Sequence, residues 1–326
     1  MLVSVVSAAN SNNYMLGTVS SYSNQTLTLN ILTTNGSGTF NSWLINLAGS
    51  AGPVGATGAA GSNGAAGAPG GIVISSATGL KIVNNPGTPS TKINITAVSA
   101  AMANAAGTSV VQKGASVTID LTTGTSTSTA NGMDGEARGT SAWVYLYLIN
   151  NGTTTAGLAT LTSPLSAGPT LPAGYTYSLY VGAMRVDGSG NLMQTIQYGK
   201  DAQYVVTAAT NTAALPQLAS GAAGSVSVPT WVSVAMGAFV PPTASVARIV
   251  AESNGAAATP SPVIVAPNNS YGVAASANSP PFSVTATATE NQFGNITLES
   301  TNIYWASTNN GGAIGCVGWT DYCVAA

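Results

Sequence analysis

The sequence predicts an all-β protein interrupted near its front by a short collagen-type triple helix, and three observations carry that expectation. Eight glycines (Gly49, Gly52, Gly55, Gly58, Gly61, Gly64, Gly67 and Gly70) recur at strict three-residue intervals. Charged residues make up only 5% of the 326 residues, against about 25% in ordinary soluble domains. The rest of the chain is a succession of Thr-, Val- and Ile-rich stretches separated by Gly, Pro and Asn, the composition of strands and turns.

The glycine phase is the most specific of the three. Only a collagen triple helix demands glycine at every third position, because three chains meet at an axis where only a hydrogen side chain fits. A Gly/Ala linker that is periodic by accident is the bland alternative. The phase predicts three parallel copies, nearly in register, over 49–71. At about 3.1 Å rise per residue the run forms a rod of roughly 65 Å. Its only prolines are Pro53 and Pro69, so it needs trimeric domains at its ends to persist.

Ahead of the stalk, residues 1–48 read as a small β-domain. Met1-Leu-Val-Ser-Val-Val-Ser-Ala-Ala9 lacks a basic leader and is broken by serines, which makes it a strand rather than a secretory signal. Tyr14–Ser20, Thr26–Leu32 and Ser42–Leu47 follow, divided by turns at Ser23-Asn24 and Asn35-Gly-Ser-Gly38. Behind the stalk, 72–206 is expected to be one β-rich domain. Its strands fall at Gly79–Val83, Thr91–Ala97, Ser116–Leu121, Trp143–Ile149 and Tyr177–Arg185, and a turn at Asp187-Gly-Ser-Gly-Asn191 leads into Leu192–Tyr198. Ser99–Ala106 is the one short stretch with a helical option. Residues 207–326 are expected to form a jelly-roll-like β-sandwich head, with strands at Trp231–Ala235, Ser245–Ala251, Val263–Ala266, Phe282–Thr289, Gly294–Leu298 and Asn302–Trp305. Prolines 241, 242, 260, 262, 280 and 281 punctuate it as they do at corners and edges.

Composition excludes several functions. Seven scattered Lys and Arg residues cannot supply the basic stripe that a nucleic acid or an anionic membrane surface requires. No stretch reaches the roughly 18 apolar residues of a membrane-spanning helix. With no His at all, a Ser-His-Asp or Cys-His nucleophile is ruled out. Two cysteines fall short of a zinc set, and neither metal nor cofactor is expected. For Cys316 and Cys323, a disulfide clipping a C-terminal hairpin and two ordinary buried thiols stay equally open. Asp134 and Glu136 are the closest carboxylate pair of the kind glycoside hydrolysis uses, but with Arg138 beside them they read as a solvated, locally paired loop. Glu290, Glu299 and Asp321 are the other carboxylates to follow in space. No catalytic residues are expected.

A resemblance adds to this reading. The run Ser7-Ala-Ala-Asn-Ser-Asn-Asn-Tyr-Met-Leu-Gly-Thr-Val-Ser-Ser-Tyr-Ser23, with Gly36-Ser-Gly-Thr-Phe-Asn-Ser-Trp-Leu-Ile-Asn-Leu-Ala-Gly49, resembles a module of bacteriophage tail and fibre proteins in which Gly-X-Y repeats follow directly. Asn151–Gly157, Leu171–Tyr177 and the 187–198 hairpin resemble β-rich segments of phage appendages. The resemblance implies a trimeric virion fibre of a tailed phage, at the neck, head, side or tail. Its N-terminal module would attach to other virion proteins and its head would meet host surface polysaccharide. Assembly in the host cytoplasm and exposure on the extracellular particle follow. A structural collar or decoration protein without a receptor, or a polysaccharide-degrading tailspike, are the competing readings. Neutral polar surfaces carrying flat aromatic rings suit glycans, which makes Tyr304, Trp305, Trp319 and Tyr322 the candidate receptor contacts, with a core or trimer-axis role as the alternative for the tryptophans.

Overall fold

The computed structural model describes residues 1–49, 75–208, 212–254, 262–285, 289–308 and 310–325. Of the phased glycines, Gly52 through Gly70 lie outside the described residues, and so does the expected triple helix. Every regular element described is a strand, and the chain divides into two compact units, Met1–Ala66 and Gly67–Ala326.

The first unit is one four-stranded antiparallel sheet of β1 (Leu2–Ser7), β2 (Tyr14–Ser23), β3 (Thr26–Asn35) and β4 (Trp43–Leu47), in the order β3-β2-β1-β4. Asn24 and Gln25 close the β2–β3 hairpin with positive φ of 50° and 69°, the geometry that matches the twist of the flanking strands. Cross-strand register sorts the side chains onto two faces. Val3 and Val5 stand opposite Leu47 and Ile45 on one side and Gly17 and Met15 on the other. Gly17 in turn faces Ile31, and Val19 faces Leu29. That face is therefore almost wholly apolar.

The second unit begins with β5 (Ser76–Thr78), β6 (Lys81–Asn84), β7 (Lys92–Ala103), β8 (Ser109–Asp120), β9 (Gly132–Met133), β10 (Trp143–Asn150), β11 (Thr155–Thr160), β12 (Tyr177–Arg185), β13 (Thr195–Tyr198) and β14 (Asp201–Tyr204). Their order is β14-β13-β6-β7-β12-β10-β11-β9, with β5 and β8 also bonded to β7. Every residue of β10 is buried, as expected of a strand covered on both faces. Gly157 lets β11 approach β8 closely, since a methyl there would strike Ile119 and Val117. The helical option at Ser99–Ala106 is overturned. Ser99 to Ala103 continue β7, bonded to β8 on one side and β5 on the other, and Asn104 then turns the chain by accepting the Thr108 N–H at 2.9 Å. Two ladders of cross-strand hydrogen bonds outweigh the helix preference of a few alanines. The turn at Asp187 forms as expected, its carboxylate accepting the Ser189 and Asn191 N–H groups at 2.9 and 2.8 Å.

Eight more strands follow: β15 (Gln217–Ser220), β16 (Val232–Ala235), β17 (Ala244–Asn254), β18 (Val263–Ala266), β19 (Phe282–Val284), β20 (Thr289–Thr297), β21 (Asn302–Ser307) and β22 (Gly312–Asp321). They pair antiparallel from the outside inward: β15 with β22, β16 with β21, β17 with β20, β18 with β19. β22 then joins β17 and β21 joins β18, so a long folded ribbon rolls into the sheets β15-β22-β17-β20 and β16-β21-β18-β19. This is the eight-stranded order of a jelly roll. The two sheets meet through β17 and β20 against β18 and β19. Gly294 on β20 opens the space that the Phe282 ring fills.

The middle strands and the jelly roll share β22 within the second unit. One edge of β22 is shared: Gly315 and Ala313 pair with β15, whereas Gly318, Trp319 and Thr320 pair with β14. Sheet and core therefore run continuously from the middle strands into the jelly roll.

Candidate functional site

The four aromatic side chains expected at the surface part company. β21 alternates, sending Ile303 and Trp305 into the space between the sheets and Tyr304 to the other face. Trp305 is 2% exposed and Trp319 is fully buried, so neither touches a receptor. Tyr304 is half-buried, opposite Ser233 of β16 and Ala266 of β18. Tyr322, just beyond β22, is 57% exposed.

Trp319 instead fastens the middle strands to the jelly roll. It packs edge-on against Trp143 at 5.2 Å and Tyr204 at 5.4 Å between ring centroids. Around that cluster, three consecutive carbonyls accept hydrogen bonds from the middle strands. Gly237 O accepts from the Trp143 indole at 2.8 Å, Ala238 O from Arg185 Nε at 3.1 Å, and Phe239 O from the Tyr204 hydroxyl at 2.8 Å.

Asp321 is a second fastening. Its side chain is fully buried; Oδ2 accepts from the Tyr180 hydroxyl at 2.6 Å and the Thr243 hydroxyl at 2.7 Å, and Oδ1 from the Cys323 N–H at 3.0 Å. Burial pushes its carboxyl above the ordinary 3.8, and these hydrogen bonds offset part of the rise. Burial, followed by the charge of Asp321, pushes the Tyr180 hydroxyl well above 10. A carboxyl that holds its proton more tightly when folded makes the native state the better proton binder between 3.8 and its raised value, so stability falls as pH rises through that window. The stability advantage of wild type over Asp321→Asn is accordingly expected to be larger at pH 3.5 than at pH 7. Urea unfolding at the two pH values measures it, and an advantage that grows with pH would contradict the assignment.

The remaining candidates for chemistry do not converge. Asp134 is 8% exposed, and its Oδ2 accepts the Thr170 N–H at 3.1 Å. The expected local ion pairing is overturned: Arg138 donates through Nε to Gly190 O at 2.5 Å, and the ion pairs among the described residues are Lys92–Asp120 and Arg248–Asp201. Asp321 follows Thr320 at the Ala244 end of β17, whereas Glu290 stands opposite Ser253 at the other end. Glu299 Oε2 accepts from Asn268 at 2.6 Å. Cys316 and Cys323 are both free thiols. With β22 extended from Cys316 to Asp321, about 16 Å of strand separates them at 3.3 Å per residue. The last two residues cannot bring the Cα atoms within the ~7 Å that a disulfide requires. Burial pushes the Cys316 thiol up to about 12, and burial also raises that of Cys323, so neither is an activated nucleophile.

Sequence reasoning missed three exposed aromatic side chains, of which Tyr22, 69% exposed, lies on the β2–β3 hairpin. Phe293, 62% exposed, projects from β20, the outer strand of its sheet. The available signal was parity along the strand: Phe293 falls on the side of Asn291, Asn295 and Thr297, opposite to the buried Ile296. Tyr198, 57% exposed, walls a recess of about 580 Å³ with Leu80 and Thr96, and the Lys81 ammonium lies 5.6 Å from its ring centre. No family model, no curated protein and no solved structure matches this chain.

Proposed function

We propose that the chain is the protomer of a trimeric, collagen-stalked appendage of a tailed bacteriophage, without catalytic activity or cofactor. In this reading the 1–48 module attaches to the particle, the stalk spaces the second unit outward, and the jelly roll meets neutral surface polysaccharide. One observation carries the stalk. Gly49 lies outside the left-handed region, and a methyl added to it would meet nothing within 4 Å. No described residue of its own protomer requires glycine there, whereas a triple-helix axis does. The jelly roll supports the head, since capsid and lectin domains use that architecture, although fold alone does not assign function. Weak glycan contacts become useful when three parallel heads bind together.

The burial of Trp305 and Trp319 favours a second reading, a structural collar without a receptor. Tyr304→Ala and Tyr322→Ala separate the two, because neither side chain is in the core. Binding of the purified full-length protein to host cells is expected to fall about tenfold or more in the double variant, the order of effect of losing stacked rings that three heads multiply. Unchanged binding by a variant that remains trimeric would favour the collar.

A further inference from the structure

The N-terminal sheet buries Val3 and Val5 at the centre of its apolar face but leaves its β4 edge open. Of the sixteen exposed large apolar side chains described, seven fall within residues 1–48. Three of them lie on β4 alone: Leu44 at 58%, Ile45 at 51% and Leu47 at 73% exposed. Among the described residues β4 is also the sheet's edge, bonded only to β1. A bare apolar edge strand is an association site that proteins normally blunt with charge or proline, and Trp43-Leu-Ile-Asn-Leu47 has neither.

The position of β4 in the chain says what covers it. Leu47 precedes Gly49, the first glycine of the three-residue phase, by two residues, a reach of at most about 7 Å. If three Gly49 residues meet at a triple-helix axis, three copies of Leu47 stand within that reach of the same axis. Ile45 and Leu47 share a face with Val3 and Val5; the two valines are buried, whereas Ile45 and Leu47, the residues delivered to the axis, are open.

We infer that β4, through Ile45 and Leu47, is the trimer contact that gathers three chains and sets the register of the stalk, its occupant being two further copies of this chain. The inference rests on the collagen-stalk reading. It assigns the attachment module a second role, as the clamp that a short stalk with two prolines needs in order to start in phase.

Sedimentation and thermal melting of the full-length protein test it. Ile45→Asp with Leu47→Asp is expected to weaken the trimer at least tenfold and to lower the first melting step, while Tyr22→Asp, at an equally exposed ring on the β2–β3 hairpin, leaves both unchanged. Leu47→Cys provides a check that survives any misfolding of the charged variant: a short bis-maleimide should yield covalent dimers and trimers that Tyr22→Cys does not. A trimeric wild type whose assembly and melting ignore the Asp pair, with no cross-link at position 47, would overturn the inference and leave the stalk standing. A monomeric wild type would overturn both.

Discussion

Trp319→Ala is expected to destabilise the second unit by about 3–5 kcal/mol, the range for deleting a large buried aromatic. For a unit of roughly 250 residues this lowers the unfolding midpoint by about 10 °C. The effect should be large because the indole lies where two pieces of chain become one core. It touches Trp143 on β10 and Tyr204 on β14, while its own strand is bonded to β14 on one side and β17 on the other. Removing it leaves a cavity bordered by strands from both the middle sheet and the jelly roll, and a continuous core predicts that both lose stability together. The indole N–H has no hydrogen-bond partner, so Trp319→Phe retains most of the packing and removes an unpaired donor. That variant is expected to cost about 1.5 kcal/mol or less, the usual scale for a shape-conserving apolar exchange. Calorimetry on both variants provides the check. Two separate transitions, with the alanine variant shifting only one, would show that the middle strands and the jelly roll fold independently.

Much of the architecture was legible because strand signals are local. Tyr177–Arg185 and Val263–Ala266 match their observed strands residue for residue: the second is a β-branched run between Pro262 and Pro267, and the first carries Tyr, Leu, Tyr and Val ahead of the Asp187 turn. The prolines at 241, 242, 262, 280 and 281 all fall between strands. What the sequence concealed was the strand that organises everything else. β22 reads Gly-Ala-Ile-Gly-Cys-Val-Gly-Trp-Thr-Asp, and three glycines in ten residues lower any strand signal. Those glycines are what a crowded central strand needs: a methyl on Gly318 would strike the backbone of Ala202 and Gln203, and one on Gly312 would strike Ser307 and Val263. Without a strand signal over β22, the sequence leaves Trp319 open between a receptor contact and a core role, and Cys316 and Cys323 open between a hairpin disulfide and two buried thiols; the structure places Trp319 in the core and leaves both thiols free. The two roles open to Trp319 could not be separated for the same reason. Whether a tryptophan packs inward depends on which strands flank it, and the partners of Trp319 lie more than 60 residues away in sequence.

The proposed stalk yields the sharpest expectation, because a triple helix is sensitive to sequence with a period of three. Gly58→Val or Gly61→Val should break the trimer locally, since no side chain larger than hydrogen fits where three chains cross the axis. Ala59→Val and Ala60→Val place the same two methyl groups at positions that point away from the axis, and should be tolerated. A flexible linker makes the opposite forecast, because all four substitutions would then be equally harmless. Gly49→Ala extends the comparison into the described structure: its added methyl meets no described atom within 4 Å, so a loss of assembly in that variant points to neighbouring chains. Circular dichroism of the polyproline-type signal, followed on heating, together with sedimentation of the intact protein, should show an earlier melt and dissociation for the three glycine variants and wild-type behaviour for the two alanine variants. Equal behaviour across the whole set would remove the collagen stalk, and with it the reason to read this chain as a trimer.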